Sequence, residues 1–147
     1  MNSDVGLCLV CRWKRATTNR KGSVFFRCAR AETDPRFARY PALPVRDCAG
    51  YEEAMLFVVL MNYVAPLPAV DAVRPSHIAH LEHYAQEGII QAWARRDPPT
   101  GGVLVVAAPD RATLESVLAR DPYVLAGVAR PEIVEFNPAN VRGALQP

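Results

Sequence analysis

The four cysteines of this chain all lie within its first 48 residues, whereas its three histidines all lie in the second half. Charge divides the chain at the same place. Residues 1–50 carry ten Lys and Arg against four acidic residues, a net charge of +6, and residues 51–147 carry seven against eleven, a net charge of −4. This asymmetry indicates two units with different sources of stability. We predict an N-terminal unit at residues 1–50, a C-terminal domain at 55–138 and a tail at 139–147.

The N-terminal unit is too small, and too rich in arginine and proline, to bury a sufficient apolar core by itself. Cys8 and Cys11 have the C-x-x-C spacing that directs two sulfurs to one centre, Cys28 ends a hairpin predicted at residues 12–28, and Cys48 follows a proline-rich segment. The spacing predicts a zinc-ribbon-like module in which these four cysteines bind one structural Zn²⁺. Disulfides, a redox-active C-x-x-C pair and an iron–sulfur cluster are the alternatives.

The basic residues of the N-terminal unit allow two interpretations. Interleaved with Trp13, Phe25, Phe26, Phe37 and Tyr40, they could form a phosphate-binding surface for nucleic acid. The same aromatic side chains are nearly the only large apolar groups available for a small core, which makes the arginines its solvated face. We favour this second interpretation and keep nucleic-acid contact as the alternative.

The C-terminal domain shows a regular alternation of strand and helix patterns. A continuous apolar run at Met55–Tyr63 predicts a buried strand, and Ile78, Leu81 and Tyr84 have the spacing of a helix stripe. The full prediction is strands at 55–63, 88–95, 103–108 and 132–136, helices from about Asp71 or Pro75 to Glu87 and from Pro109 to Arg120, and a short helical piece at 121–127. The order βαββαβ predicts a ferredoxin-like α+β sandwich with both helices on one face. A second copy is the simplest cover for the other face, so we expect a homodimer.

Several motifs of the second unit resemble the YciI-like (YCII-related) family over residues 55–138. The most distinctive are R-x-x-H at Arg74–His77 and D-P-Y-x-x-A-G at Asp121–Gly127, supported by MLFVVL in the first strand and EIVEF in the last. The resemblance implies a dimeric α/β barrel whose active-site pair falls on His77 and Asp121. Where relatives tend to read Ala-Gly-Pro after the second strand, this chain has Trp93, which would contact the substrate or fill the cleft.

A histidine paired with a carboxylate suits proton transfer near neutral pH, because the carboxylate fixes the tautomer and leaves the other ring nitrogen free. The family pair lacks a nucleophile, so we expect isomerase- or lyase-like proton transfer on a small organic molecule without an organic cofactor. Arg74, one helical turn before His77, would hold an anionic substrate group. Structural roles compete: Asp121 before a proline is also an ordinary helix N-cap, and His77 could be a hydrogen-bonded interior histidine.

The remaining signals bear on location and partners. His80 and His83 spread around the helix with His77, and we expect both to be solvated rather than metal-bound. No apolar run approaches the length of a membrane span and no secretory signal is visible, so we expect a cytoplasmic protein without membrane contact. The alternative to an enzyme is a dimeric binding or regulatory protein whose cysteine module recruits a partner or nucleic acid.

Overall fold

The computed structural model describes residues 5–137, so the predicted tail at 139–147 lies outside the described residues. The N-terminal unit contains a 3-10 turn at Leu7–Val10, strands β1 (Lys14–Thr18) and β2 (Val24–Cys28), and a second 3-10 turn at Ala29–Glu32. The C-terminal domain contains β3 (Met55–Tyr63), α1 (Leu67–Gln86), β4 (Ile90–Arg95), β5 (Gly101–Ala108), α2 (Arg111–Ala119), α3 (Pro122–Leu125) and β6 (Ala129–Phe136). Within the described range, no helix has the length and apolarity needed to span a bilayer.

Strands β1 and β2 form the hairpin predicted for the N-terminal unit. They pair antiparallel from Lys14 opposite Cys28 to Thr18 opposite Val24. Gly22 has a φ of 82° in the connecting turn, a conformation that a residue with a Cβ adopts only with strain. The segment after the hairpin joins the rest of the unit through isolated bridges, including one between Cys11 and Glu53.

The sheet of the C-terminal domain has the strand order β4-β5-β3-β6, and every neighbouring pair is antiparallel. With α1 between β3 and β4 and α2 between β5 and β6, this is the predicted ferredoxin-like βαββαβ arrangement. Phe57, Val59 and Met61 of β3 are almost fully buried beneath the helices, because alternate side chains of a strand point to the same face. The apolar run in β3 is continuous because its other face carries Val58 and Leu60 as well.

Helix α1 begins earlier than the sequence pattern indicates. Pro66 is its N-cap residue and Pro68 lies in its first turn. Proline is tolerated there because the first backbone N–H groups of a helix have no intrahelical partner. Pro75 lies inside the helix on an exposed position, so the predicted start at Asp71 or Pro75 is wrong.

Two strands are also longer than predicted, each for a local reason. Gly101 and Gly102 belong to β5 rather than to the preceding turn, and a Cβ at Gly101 would lie 2.1 Å from Nη2 of Arg96 and 2.3 Å from the carbonyl oxygen of Met61. Strand β6 begins at Ala129 and includes Pro131, which is tolerated because β6 lies at the edge of the sheet and needs no donor on its free side.

The N-terminal unit contacts the C-terminal domain where α1 ends. Lys14 is buried, and its Nζ donates to the carbonyl oxygens of Leu9 at 2.5 Å and Gly88 at 2.9 Å. A Cβ on Gly88 would lie 2.7 Å from that Nζ, so any side chain at this position requires the end of Lys14 to shift. Thr18 adds a hydrogen bond of 3.4 Å to the Glu87 carboxylate.

Candidate active site

His77 and Asp121 meet in the interior of the C-terminal domain, although 44 residues separate them in sequence. Nδ1 of His77 lies 2.8 Å from one carboxylate oxygen of Asp121 and 3.0 Å from the other. Asp121 is completely buried, and His77 is 6% exposed. An ionised carboxylate can only accept hydrogen bonds, so Nδ1 carries the proton and Nε2 is left as a hydrogen-bond acceptor.

Local capping chemistry places Asp121. It is the N-cap of α3, where a carboxylate oxygen accepts a hydrogen bond of 2.8 Å from the backbone N–H of Tyr123. Pro122 occupies the first helical position, which requires no N–H donor. The capping role and the pairing with His77 therefore coexist in one side chain, and the rigid cap fixes the carboxylate against the imidazole.

His77 lines a cavity of about 30 Å³, space for one or two water molecules. Arg74 and Trp93, predicted to bind substrate, also line it. Trp93 is 39% exposed, so its indole lies partly at the protein surface. The arrangement thus brings the two predicted binding residues to His77, while Asp121 lies behind the imidazole. Every lining residue belongs to the C-terminal domain.

Two tyrosines beside His77 were not identified from the sequence. The ring of Tyr123 stacks on the imidazole with centroids 3.8 Å apart and planes 9° apart. Its other neighbour is Tyr63, which meets it edge-on at 5.8 Å. Burial, the proximity of Tyr63 and a hydrogen bond to Tyr63 together raise the pKa of Tyr123 to about 12.

The same region holds a second guanidinium. Nε of Arg95 donates to the Tyr63 hydroxyl oxygen at 3.2 Å, and the guanidinium also forms an ion pair with Asp71. These hydrogen bonds raise the pKa of Arg95 further above its ordinary range. Tyr123 was detectable as part of the D-P-Y motif, whereas Tyr63 is only the last residue of an apolar run and gives no such signal.

The other two histidines of α1 behave differently from each other. His83 is exposed, as predicted. The prediction that His80 is solvated is wrong, because it is half-buried and its Nε2 has no hydrogen-bond partner among the described residues. Burial lowers the pKa of His80, although the nearby Asp121 acts in the opposite direction.

The four cysteines approach one another in the N-terminal unit as free thiols. Burial raises the pKa of Cys8 to about 11, and the neighbouring sulfurs of Cys11, Cys28 and Cys48 act in the same direction. Three of the four line a common cavity of about 490 Å³. Within residues 5–137, however, no group of three or more His, Cys, Asp or Glu side chains is arranged so that it could hold a metal ion.

The C-terminal domain is therefore a ferredoxin-like α+β domain with a buried His–carboxylate pair beside a small cavity. The family comparison agrees: the YCII-related domain model matches residues 55–137, and the chain belongs to that family. Among solved structures, the chain is similar to 5-chloro-2-hydroxyhydroquinone dehydrochlorinase from Burkholderia phenoliruptrix, solved in complex with 2,5-dihydroxybenzoquinone. The two are 21% identical, with 56% of this chain and 94% of that chain covered and a TM-score of 0.49. The comparison with curated proteins gives no match.

Proposed function

We propose that the C-terminal domain catalyses proton transfer on a small organic molecule, with His77 as the acid–base group and Asp121 as its orienting partner. The observation that supports this most is the double contact between Nδ1 of His77 and the buried Asp121 carboxylate, while the imidazole borders a cavity. A neutral imidazole in this tautomer accepts a proton at Nε2 and returns it elsewhere. The residues lining the cavity include no serine or cysteine to serve as a nucleophile, so we infer an isomerase- or lyase-type reaction that uses no organic cofactor.

A metabolite screen by thermal shift tests this proposal. We expect small organic anions to raise the melting temperature of the wild-type protein and to be turned over. His77→Ala should abolish turnover, and Asp121→Asn should reduce it while retaining a side-chain oxygen for the helix cap. His83→Ala, an exposed histidine on the same helix, is the matched control and should behave as wild type. Turnover that is unchanged in His77→Ala would exclude the proposed role.

The size of the cavity favours a second candidate, a binding or regulatory protein without catalysis. Only about 30 Å³ is open beside His77, and Trp93 lines it. Trp93→Ala distinguishes the two functions. If the indole gates an active site, the variant should bind and turn over larger substrates. If the indole fills a site that only binds, ligands should bind to the variant without being converted.

We also propose that the uncovered face of the sheet pairs with the same face of a second copy. Val58 of β3 is in register with Val105 of β5 and Val134 of β6, and Leu60 is in register with Val103. All are on the face opposite the buried Phe57 side, which the strand alternation requires. Val134 is 44% exposed although it is apolar. A homodimer would remove this apolar strip from water, in agreement with the dimeric barrel that the resemblance implies.

Sedimentation velocity tests the dimer with two matched substitutions. Val134→Lys places a charge in the apolar strip and should shift the protein to monomer. Val64→Lys makes the same change at an equally exposed valine outside the strip, and the dimer should persist. A wild-type protein that sediments as a monomer at all concentrations would contradict the proposal.

For the N-terminal unit, we propose that Cys8, Cys11, Cys28 and Cys48 bind one Zn²⁺ as thiolates. Soft donor chemistry and the placement of Cys8, Cys28 and Cys48 around one cavity support the proposal, as does the scarcity of buried apolar side chains in the unit. The sulfurs would have to move closer together than they lie in the structure. Binding of Zn²⁺ would also require the four thiols to be ionised, because the thiolate is the metal ligand.

Elemental analysis with thiol counting tests the metal. The purified chain should contain one zinc per chain and no rapidly reactive thiol, and chelation should expose four. Cys28→Ser should lose the zinc and unfold the hairpin, whereas Ser23→Ala in the same hairpin should retain both. A folded chain with four reactive thiols and no metal would contradict zinc binding. Affinity for nucleic acid that depends on the first 50 residues and falls steeply with salt would instead support the nucleic-acid alternative.

A further inference from the structure

The hydrogen bonds around Tyr63 leave its own proton without an acceptor. A tyrosine hydroxyl has one donor hydrogen and can accept through two lone pairs. Its oxygen receives the Nε hydrogen of Arg95 at 3.2 Å. In residues 5–137, no acceptor for the Tyr63 O–H is recorded. With a cationic donor on its oxygen, the Tyr63 O–H becomes a stronger donor to another group.

Tyr63 is well placed to use that hydrogen in the cavity that His77 borders. Both side chains line it. The ring of Tyr123 contacts both, stacked on the imidazole at 3.8 Å and edge-on to Tyr63 at 5.8 Å. The imidazole and the hydroxyl donor therefore share one cavity and one neighbouring ring. A substrate that enters this cavity, as it stands or enlarged by movement of Trp93, can meet both groups at once.

The charges around the cavity favour an anion. Arg95 is already paired with Asp71, so it contributes to anion binding mainly by its hydrogen bond to the Tyr63 oxygen. Arg74 also lines the cavity, and no ion pair is recorded for it in the described part of the chain. One uncompensated guanidinium and one strengthened O–H donor form a site for a negatively charged oxygen.

We propose that Tyr63 is a catalytic residue that donates a hydrogen bond to the oxyanion formed when His77 removes a proton, which makes enolisable carbonyl compounds the substrate class. This inference rests on the proposed proton transfer. Nε2 of His77 takes the proton from the carbon beside the carbonyl, and the C–H electrons form the carbon–carbon double bond. The carbonyl π electrons move onto oxygen, and Tyr63 donates to that oxygen. The proton then returns from Nε2 to the α-carbon or to the enolate oxygen, which completes the cycle. No oxidant or co-reactant is consumed.

Binding of a stable oxyanion tests the Tyr63 donor without requiring turnover. The probe is 4-nitrophenolate, with 4-nitrotoluene as a neutral molecule of similar shape. Tyr63→Phe removes only the hydroxyl, and Tyr40→Phe makes the same change at an exposed tyrosine of the N-terminal unit. Each variant is titrated in the wild-type and the Trp93→Ala background, so that exclusion by the indole is separated from a missing donor. Circular dichroism confirms that each variant folds.

We expect Tyr63→Phe to weaken binding of 4-nitrophenolate about tenfold or more, as for a hydrogen bond to a charged group, without weakening binding of 4-nitrotoluene. Tyr40→Phe should change neither. Equal affinity of Tyr63→Phe and wild type for the phenolate, or no phenolate binding in either background, would overturn the inference.

Deuterium exchange on phenylpyruvate, an enolisable acid, separates this inference from the proposed function. Exchange should be lost in His77→Ala and strongly slowed in Tyr63→Phe. Exchange that survives in His77→Ala contradicts the proton transfer itself. So does the absence of exchange from both the wild-type protein and the Trp93→Ala variant. Exchange lost in His77→Ala but unchanged in Tyr63→Phe contradicts only the role of Tyr63.

Discussion

The two parts of this chain reach order by different means. The C-terminal domain has a continuous core in which large side chains such as Phe57, Leu104 and Leu114 are almost completely removed from water. In the described part of the N-terminal unit, the buried apolar residues are only Val5, Cys11 and Ala29. Burial of apolar area is the dominant stabilising contribution in folding, so the unit lacks the main source of stability that the domain has.

Contacts between arginine and aromatic rings take the place of a core in the N-terminal unit. The Arg30 guanidinium lies 5.4 Å from the ring centre of Trp13 and 5.0 Å from that of Phe37, and it also pairs with Glu52. Each exposed contact of this kind stabilises by only about 0.5–1 kcal/mol. The stability of the N-terminal unit therefore depends on contacts other than a core. These are the contact of Lys14 with the end of α1 and, if the thiols bind one, a metal ion.

The largest expected effect on the free energy of unfolding comes from replacing one phenylalanine by alanine in each region. Phe57→Ala removes a fully buried ring and should lower the free energy of unfolding by about 3–5 kcal/mol. Phe25→Ala removes a ring that is 52% exposed in the hairpin and should change it by less than about 0.5 kcal/mol. Urea denaturation of the full chain measures both. A comparable loss at Phe25 would mean that the unit has a core of its own.

The next largest effect on stability is expected from glycine substitutions that test the contact between the N-terminal unit and Gly88 at the end of α1. Gly22 and Gly88 both have positive φ, but a Cβ at Gly22 would meet nothing within 4 Å, whereas one at Gly88 would meet Leu9 and Lys14 at 2.7 Å. Gly22→Ala should therefore cost only the backbone strain of about 1 kcal/mol, and Gly88→Ala should cost about 2 kcal/mol or more. Hydrogen exchange should also show the hairpin less protected in Gly88→Ala alone. Equal costs would mean that this contact does not attach the unit.

The pH dependence of stability isolates Lys14. Burial lowers its pKa from 10.5 to about 8, so above pH 8 the folded chain releases a proton that the unfolded chain still holds. Stability should therefore rise between about pH 8 and pH 9 in the wild type, relative to Lys14→Met. In the metal-free chain Cys8 acts oppositely from pH 9 upward, because its pKa is raised to about 11 in the folded state. Lys21→Met, at an exposed lysine, should keep the wild-type profile, and a flat profile in the wild type would contradict the burial of Lys14.

The fold could be predicted because it depends on local signals, whereas the contact between His77 and Asp121 was expected from the family resemblance. The strand and helix periods set the βαββαβ order, and His77 and Asp121 each lie in a short distinctive motif. Asp121 was predicted both as a cap and as a partner of His77, and the two roles coexist because the cap uses a backbone N–H next to the carboxylate.

Features that depend on contacts between distant segments could not be predicted. Tyr63 became part of the site only through its approach to Arg95 and Tyr123, which no spacing in the sequence encodes. The bond from Lys14 to Gly88 spans 74 residues and joins two units that the sequence treats separately. The predicted start of α1 at Asp71 or Pro75 was too late because Pro66 and Pro68 interrupt the helical pattern of the sequence, although the first helical turn accepts proline.

The smallest expected effect lies in the exposed ion pair between Asp34 and Arg36. Hydrogen bonds from the Arg36 side chain and backbone N–H lower the pKa of Asp34 to about 2. Arg36→Ala removes the side-chain bonds and keeps the backbone one, so an NMR titration should show the Asp34 pKa returning part of the way towards 3.8. The melting temperature should stay unchanged, since an exposed pair contributes little to stability. Arg39→Ala in the same unit should leave the Asp34 titration unaltered. A clear fall in melting temperature for Arg36→Ala would mean that surface ion pairs, rather than thiols and the Lys14 contact, hold the N-terminal unit together.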